Sequence, residues 1–152
     1  MITWKEVIHF SVNGNPTPTR RVEKTEEEWS KILTPEQFRI TRLKGTERPH
    51  TGQLCSIFDE GIYQCICCDT DLFDSTIKFD SSSGWPSFTQ PIKENAIKYK
   101  KDDTLGMIRV EVMCNTCDGH LGHIFPDGPE PSGLRYCINS ESMKLKKGIT
   151  NE

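Results

Sequence analysis

Four cysteines in two pairs constrain this chain more than any other feature. Cys65-Ile66-Cys67-Cys68 and Cys114-Asn115-Thr116-Cys117 each set two thiols across a two-residue gap. A tight turn there aims both sulfurs at one point. Two such turns supply Cys65, Cys68, Cys114 and Cys117 as a tetrahedral S₄ cage suited to one structural Zn²⁺. Iron suits the same cage, and two pairs of buried thiols or disulfides are the plain alternative. Neither pair is followed by histidine, so covalent c-type haem is excluded. Neither is flanked by the βαβ texture of a thioredoxin-like site. The insert between them, residues 69–113, exceeds the ~15–20 residues of a simple zinc ribbon. The metal would therefore clip distant parts of a larger domain, close a long loop and stabilise it. With every position filled by protein it has no opening for a substrate, so the chemistry must lie elsewhere.

The 152 residues fit a single domain, able to bury roughly 68–70% of its unfolded surface. A formal charge of −3 argues against nucleic acid or an anionic membrane as partner. No apolar run nears the ~18 residues of a membrane span. Glu6 and His9 break the apolar N-terminus, which lacks the h-region of a signal peptide. These features predict a cytoplasmic protein, where cysteines are ligands or catalysts before they are structural disulfides.

Residues 1–24 read as an N-terminal arm without a core of its own, with Pro16 and Pro18 barring a helix in NGNPTPTR. The domain proper spans 25–148. Thr25-Glu26-Glu27-Glu28 and Thr34-Pro35-Glu36-Gln37 are capping boxes that start two short helices. Gly45 is placed to end the second. From Gly61 onward GIYQC, TIKF, AIKYK, MIRVEVMC and LRYCIN are short β-branched and aromatic segments between turn formers. Ile108, Val110 and Val112 alternate with Arg109, Glu111 and Met113, the pattern of a half-buried strand. The expected class is mainly β and antiparallel, with short N-terminal helices.

Three cysteines stand outside the cage. Cys67 lies inside the first knuckle, as a bystander or spare ligand, and Cys55 sits in a loop, HTGQLCSIFDEG. Cys137 lies in RYCINS, two residues after Arg135, whose charge favours a thiolate, and downstream of His120 and His123 in GHLGHIF. Cysteine with histidine and asparagine partners is a recipe for a sulfur nucleophile; a buried strand cysteine is the commoner reading. Gly84-Trp85-Pro86 is stiff, and either presents an indole at a surface or buries a core tryptophan.

C-x-x-C, FDSSSGWPSF, C-x-x-C, GHLGHIFPDGP and LRYCINSESMKL, in that order, resemble the B-type methionine sulfoxide reductases, as does LTPEQFRITRLKGTERPHTG. The resemblance runs from about Trp29 to Lys147. It implies two antiparallel β-sheets with N-terminal helices and reduction of methionine-(R)-sulfoxide in proteins and peptides. It makes Cys137 the nucleophile, with His123, Asn139 and Trp85 lining the site and His120 nearby, and Cys65, Cys68, Cys114 and Cys117 the zinc ligands. It also implies a cysteine sulfenic acid, then a disulfide reduced by thioredoxin or a similar dithiol. A monomer is expected. The chain departs from the family where many members carry a recycling cysteine: Ser83 stands there. Cys55 is the expected substitute, with an external thiol or Cys67 as alternatives. A zinc-ribbon binding module without catalysis, or a zinc store released on oxidation, is the rival reading.

Overall fold

The computed structural model describes residues 1–103 and 109–147. Ile108, which opens the expected alternation, and residue 148, the expected domain end, lie outside the described residues. Three helices come first: α1 (Trp4–Asn13), α2 (Glu26–Ile32) and α3 (Pro35–Thr41). The last two start at the expected capping boxes, on Thr25 and Thr34. At the end of α3 the left-handed residue is Lys44, φ 59°, rather than Gly45. Helix α1 departs from the expected arm. Thr3 caps it and accepts from the Glu6 N–H, while the Glu6 carboxylate accepts from the Thr3 N–H. Val7 is fully buried, and Phe10 stacks on Tyr99 with ring centroids 5.8 Å apart. The rest of the arm is a strap. Asn15 brackets Tyr99, accepting its N–H at 2.7 Å and donating to its carbonyl at 3.0 Å. The Val22 N–H donates to Thr116 O at 2.9 Å.

The described residues form nine strands: β1 (Gly61–Cys65), β2 (Asp71–Asp74), β3 (Lys78–Phe79), β4 (Ser87–Phe88), β5 (Ile97–Asp102), β6 (Arg109–Cys114), β7 (His120–Phe125), β8 (Arg135–Ile138) and β9 (Met143–Lys147). They make two antiparallel sheets, one in the order β2-β1-β9 and one in the order β3-β4-β8-β7-β6-β5. The expected class holds: mainly β, two antiparallel sheets, three short helices and a four-cysteine cluster compatible with a zinc site.

The core lies between the sheets. Phe73 of β2 stacks on Phe88 of β4 at 4.3 Å and meets Tyr136 of β8 edge-on at 5.6 Å. Tyr99 and Tyr136 join their buried hydroxyls at 2.6 Å, so neither phenol is stranded. Burying a Phe-sized side chain contributes about 1.5–3 kcal/mol, so this aromatic group is a principal source of stability.

Because side chains alternate along a strand, residues paired across neighbouring strands share a face. One transverse row of the large sheet runs Tyr99, Val112, Gly122, Ile138 and faces the core. The next runs Lys100, Glu111, His123, Cys137, Ser87, Phe79 across all six strands. The expected half-exposed β6 is instead buried along its length from Val110 to Cys114. Glu111 is covered by Lys44 and His120, which bond it at 3.1 and 2.7 Å.

Candidate active site and metal site

The two knuckles are built alike. Cys65 ends β1 and Cys114 ends β6. Asp69 and Asp118, at φ 65° and 64°, turn the chain back so that their N–H groups donate to Cys65 O and Cys114 O at 2.9 and 2.8 Å. The Sγ atoms of Cys65, Cys68, Cys114 and Cys117 all lie within 4.8 Å of one another. Two of the separations, Cys65–Cys117 and Cys68–Cys114, are 3.7 and 3.6 Å. A tetrahedron with Zn–S bonds of ~2.3 Å has edges of about 3.8 Å, so the donor set fits such an ion. Arg42 sits against this cluster: it stacks on Trp29 at 4.4 Å and donates to Cys117 O at 2.8 Å. Cys67 is buried beside Arg42 and Cys117, outside the four-thiol set.

The second row of the sheet opens into a cavity of about 380 Å³ whose walls include Ser83, Trp85, His120, His123, Cys137 and Asn139. Strands β7 and β8 set His123 directly opposite Cys137. Gly122 is required beside them, because a Cβ there would collide with the Cys137 carbonyl. Burial pushes the Cys137 thiol above its ordinary value; Arg135 and Ser83 pull it down without prevailing. The arginine that favours a thiolate in the sequence is thus outweighed by desolvation. Arg135 also pairs with Asp127 at 2.9 Å. His123 donates from Nε2 to Asp102 at 2.9 Å, and burial holds its pKa below the ordinary imidazole value despite that partner. His120 donates from Nδ1 to Glu111 at 2.7 Å. Glu111 is buried, which works against ionisation, yet His120 and Lys44 hold it below the usual carboxylate range.

Asn139 is buried, and both ends of its amide are committed. Its Oδ1 accepts the Glu47 N–H and its Nδ2 donates to Leu121 O, each at 3.0 Å. The Glu47 carbonyl in turn accepts the Trp85 indole N–H at 3.0 Å. Glu47 has no signal in the sequence, yet it joins the two site residues. It is only 4% exposed, and burial raises its carboxyl against the N–H groups of Ser140 and Glu141. Its Oε2 has no hydrogen-bond partner.

Cys55 is not in the Cys137 cavity. It lines a separate one of about 290 Å³, of which Trp85 is also a wall. Its loop is tied down by Lys78, whose ammonium donates to the carbonyls of Leu54 and Ile57 and to the Tyr63 hydroxyl. Burial lowers Lys78 to about 8.

Residues 33–147 match the SelR domain family. The chain is 57% identical over 125 residues to the peptide methionine sulfoxide reductase MsrB of Pseudomonas syringae, covering 82% of this chain and 95% of that protein. The protein of the same name from Pseudomonas entomophila is 57% identical over 127 residues, covering 84% and 97%. That from Saccharophagus degradans is 58% identical over 125 residues, covering 82% and 93%.

Proposed function

The chain belongs to the SelR-domain family of MsrB peptide methionine sulfoxide reductases, and from that premise we propose that it reduces methionine-(R)-sulfoxide in peptides and oxidised proteins through Cys137. The observation that carries the reading is the sheet row that sets Cys137 against His123 inside a cavity walled by Trp85. The rival zinc-ribbon binding module gives that cavity no role.

The Cys137 thiol passes its proton to Nδ1 of His123, whose Nε2–H is held by Asp102, and attacks the sulfoxide sulfur. Trp85 offers an apolar face to the S-methyl group, since sulfur and methyl contacts on an aromatic ring are favourable. The sulfoxide oxygen gains negative charge as the S–S contact forms and takes that proton from Nδ1 of His123, which returns to its neutral form. Asp102 orients that imidazole. Asn139 holds the Glu47–Trp85 wall by accepting the Glu47 N–H, is itself fixed by its bond to Leu121 O, and keeps a second amide proton for the oxygen or a held water. The oxygen passes to Cys137, methionine leaves, and Cys137 becomes a sulfenic acid. A second thiol then condenses with it, releasing water and forming a disulfide, which thioredoxin or a similar dithiol reduces. Cys55 is the proposed second thiol. Cys55 and Cys137 line different cavities that share Trp85 as a wall, so the Cys55 loop, tied down by Lys78, has to move to bring the two sulfurs together. Zn²⁺ on the four clustered cysteines would act as a structural cross-link, and no step passes through it. We place the enzyme in the cytoplasm as a monomer. Among the described residues no helix is long and apolar enough to cross a membrane.

The test is a peptide carrying both sulfoxide epimers, incubated with excess dithiothreitol and resolved chirally. Wild type is expected to consume the R epimer alone and Cys137→Ser neither, with zinc content and circular dichroism unchanged. Turnover by Cys137→Ser, or consumption of the S epimer, overturns the assignment.

A further inference from the structure

The catalytic cavity has a neighbour. A second cavity of about 410 Å³ shares Thr46, Arg109, His120 and His123 with it and extends over β6 to the edge strand β5. We propose that this second cavity binds an acidic side chain of the substrate polypeptide, about three residues from the methionine sulfoxide. The inference rests on the peptide-sulfoxide reductase reading and assigns that site a preference among substrates.

Three observations carry it. The first is continuity: Cys137 and Lys100 lie in the same transverse row, three strands apart. At 4.7–4.9 Å per strand they are about 14 Å apart. An extended peptide at ~3.4 Å per residue covers that distance in about four residues, and the two side chains shorten the need to about three. The second is charge. Lys44, Lys100, Lys101 and Arg109 line the cavity against Asp102, Asp103 and Glu111. Glu111 is taken up by Lys44 and His120, and Asp102 by Arg109 and His123. Lys100 and Lys101 are exposed and enter no ion pair among the described residues; Lys100 is in the Cys137 row, whereas Lys101 pairs with core-facing Val110, so Lys100 is the cation left on this face. The third is an unmet donor. Arg109 stands where the cavities join, and its Nε is buried without a hydrogen-bond partner. A carbonyl or carboxylate of a bound peptide would satisfy it.

Lys100 is the residue to test, because Arg109 also holds Asp102, the partner of His123, and changing it would disturb the catalytic row. Peptides would carry one methionine sulfoxide with Glu, Ala or Lys at each of the four positions on either side. N-acetyl-methionine sulfoxide, which has no flanking side chain, serves as the control. On one side of the sulfoxide, two to four residues away, Glu is expected to raise kcat/KM about fivefold over Lys at low salt, the size of one exposed ion pair. The preference should fade as salt is added. Lys100→Glu should invert it, Lys100→Ala should abolish it, and both should leave the N-acetyl control unchanged. Equal kcat/KM for Glu and Lys peptides with wild type overturns the inference while leaving the enzyme reading intact. So does a Lys100→Glu effect of the same size on the control. No reduction of any of the peptides by wild type overturns the enzyme reading and the inference together.

Discussion

Asn139→Ala reports most directly on how the site is held. The side chain is 3% exposed and makes two hydrogen bonds, from the Glu47 N–H and to Leu121 O, each at 3.0 Å. After truncation Leu121 O keeps the Asn139 backbone N–H, at 2.9 Å. The Glu47 N–H keeps nothing. One ordinary bond lost costs about 1 kcal/mol, and an orphaned buried donor about 1–3 kcal/mol, so the expected loss is about 2–4 kcal/mol. The same change frees the Glu47 carbonyl that holds the Trp85 indole. Stability should therefore fall together with kcat/KM for the sulfoxide, while the zinc content stays at wild type. The assay is urea unfolding at fixed free zinc, followed by tryptophan fluorescence, beside steady-state kinetics. Asn139→Asp sharpens it: the new carboxylate still accepts the Glu47 N–H but sets a second acceptor against Leu121 O. Its stability should recover on mild acidification, as that carboxylate takes a proton. A variant Asn139→Ala within about 0.5 kcal/mol of wild type would falsify the framing role. Full stability with lost turnover would move Asn139 from the frame of the site into its chemistry.

Alkylation of Cys137 by iodoacetamide should rise with pH with a midpoint above the ~8.5 of an exposed cysteine, because burial raises this thiol. Arg135→Gln should move the midpoint higher still, and a midpoint below 8 would contradict the desolvation argument. Cys55→Ser should still release one methionine per enzyme in a single turnover but lose thioredoxin-driven cycling; unchanged cycling removes Cys55 from the mechanism. Chelation, or Cys114→Ser, removes a cross-link between residues 46–52 apart in the chain and should cost about 4 kcal/mol if the metal acts as a covalent clip would. Urea unfolding with and without the chelator measures it, and a loss under about 1 kcal/mol would mean that the metal does not clip the sheets.

What was legible in the sequence was local. A two-residue gap encodes each knuckle, and the Thr25 and Thr34 boxes encode the starts of α2 and α3 within four residues. Thr3 and Glu6 carry the same box for α1, but the segment after them is short and broken by charge, and the arm's two prolines draw attention away from it. Strand β7 hides because Gly119 before it and Gly122 within it mimic a loop; only the neighbouring β8 carbonyl explains why Gly122 must be glycine. The candidate site residues were visible by motif, whereas their states were not. Arg135 lies two residues from Cys137, but burial outweighs it, and the residues around that thiol include Ser83, Trp85 and Ser87 from far back in the chain. Glu47 and Arg109 look like surface charges until the fold encloses them.

The paired knuckles also bear on the order in which the protein assembles. Each turn closes over a few residues, so it can form early and alone. Their union spans 46–52 residues and joins the three-stranded sheet, through Cys65 of β1, to the six-stranded sheet, through Cys114 of β6. That long-range closure is the slow kind of event in a β protein. An ion captured by one knuckle would wait there for the other, so refolding should quicken with free zinc until one knuckle is saturated, and then level off.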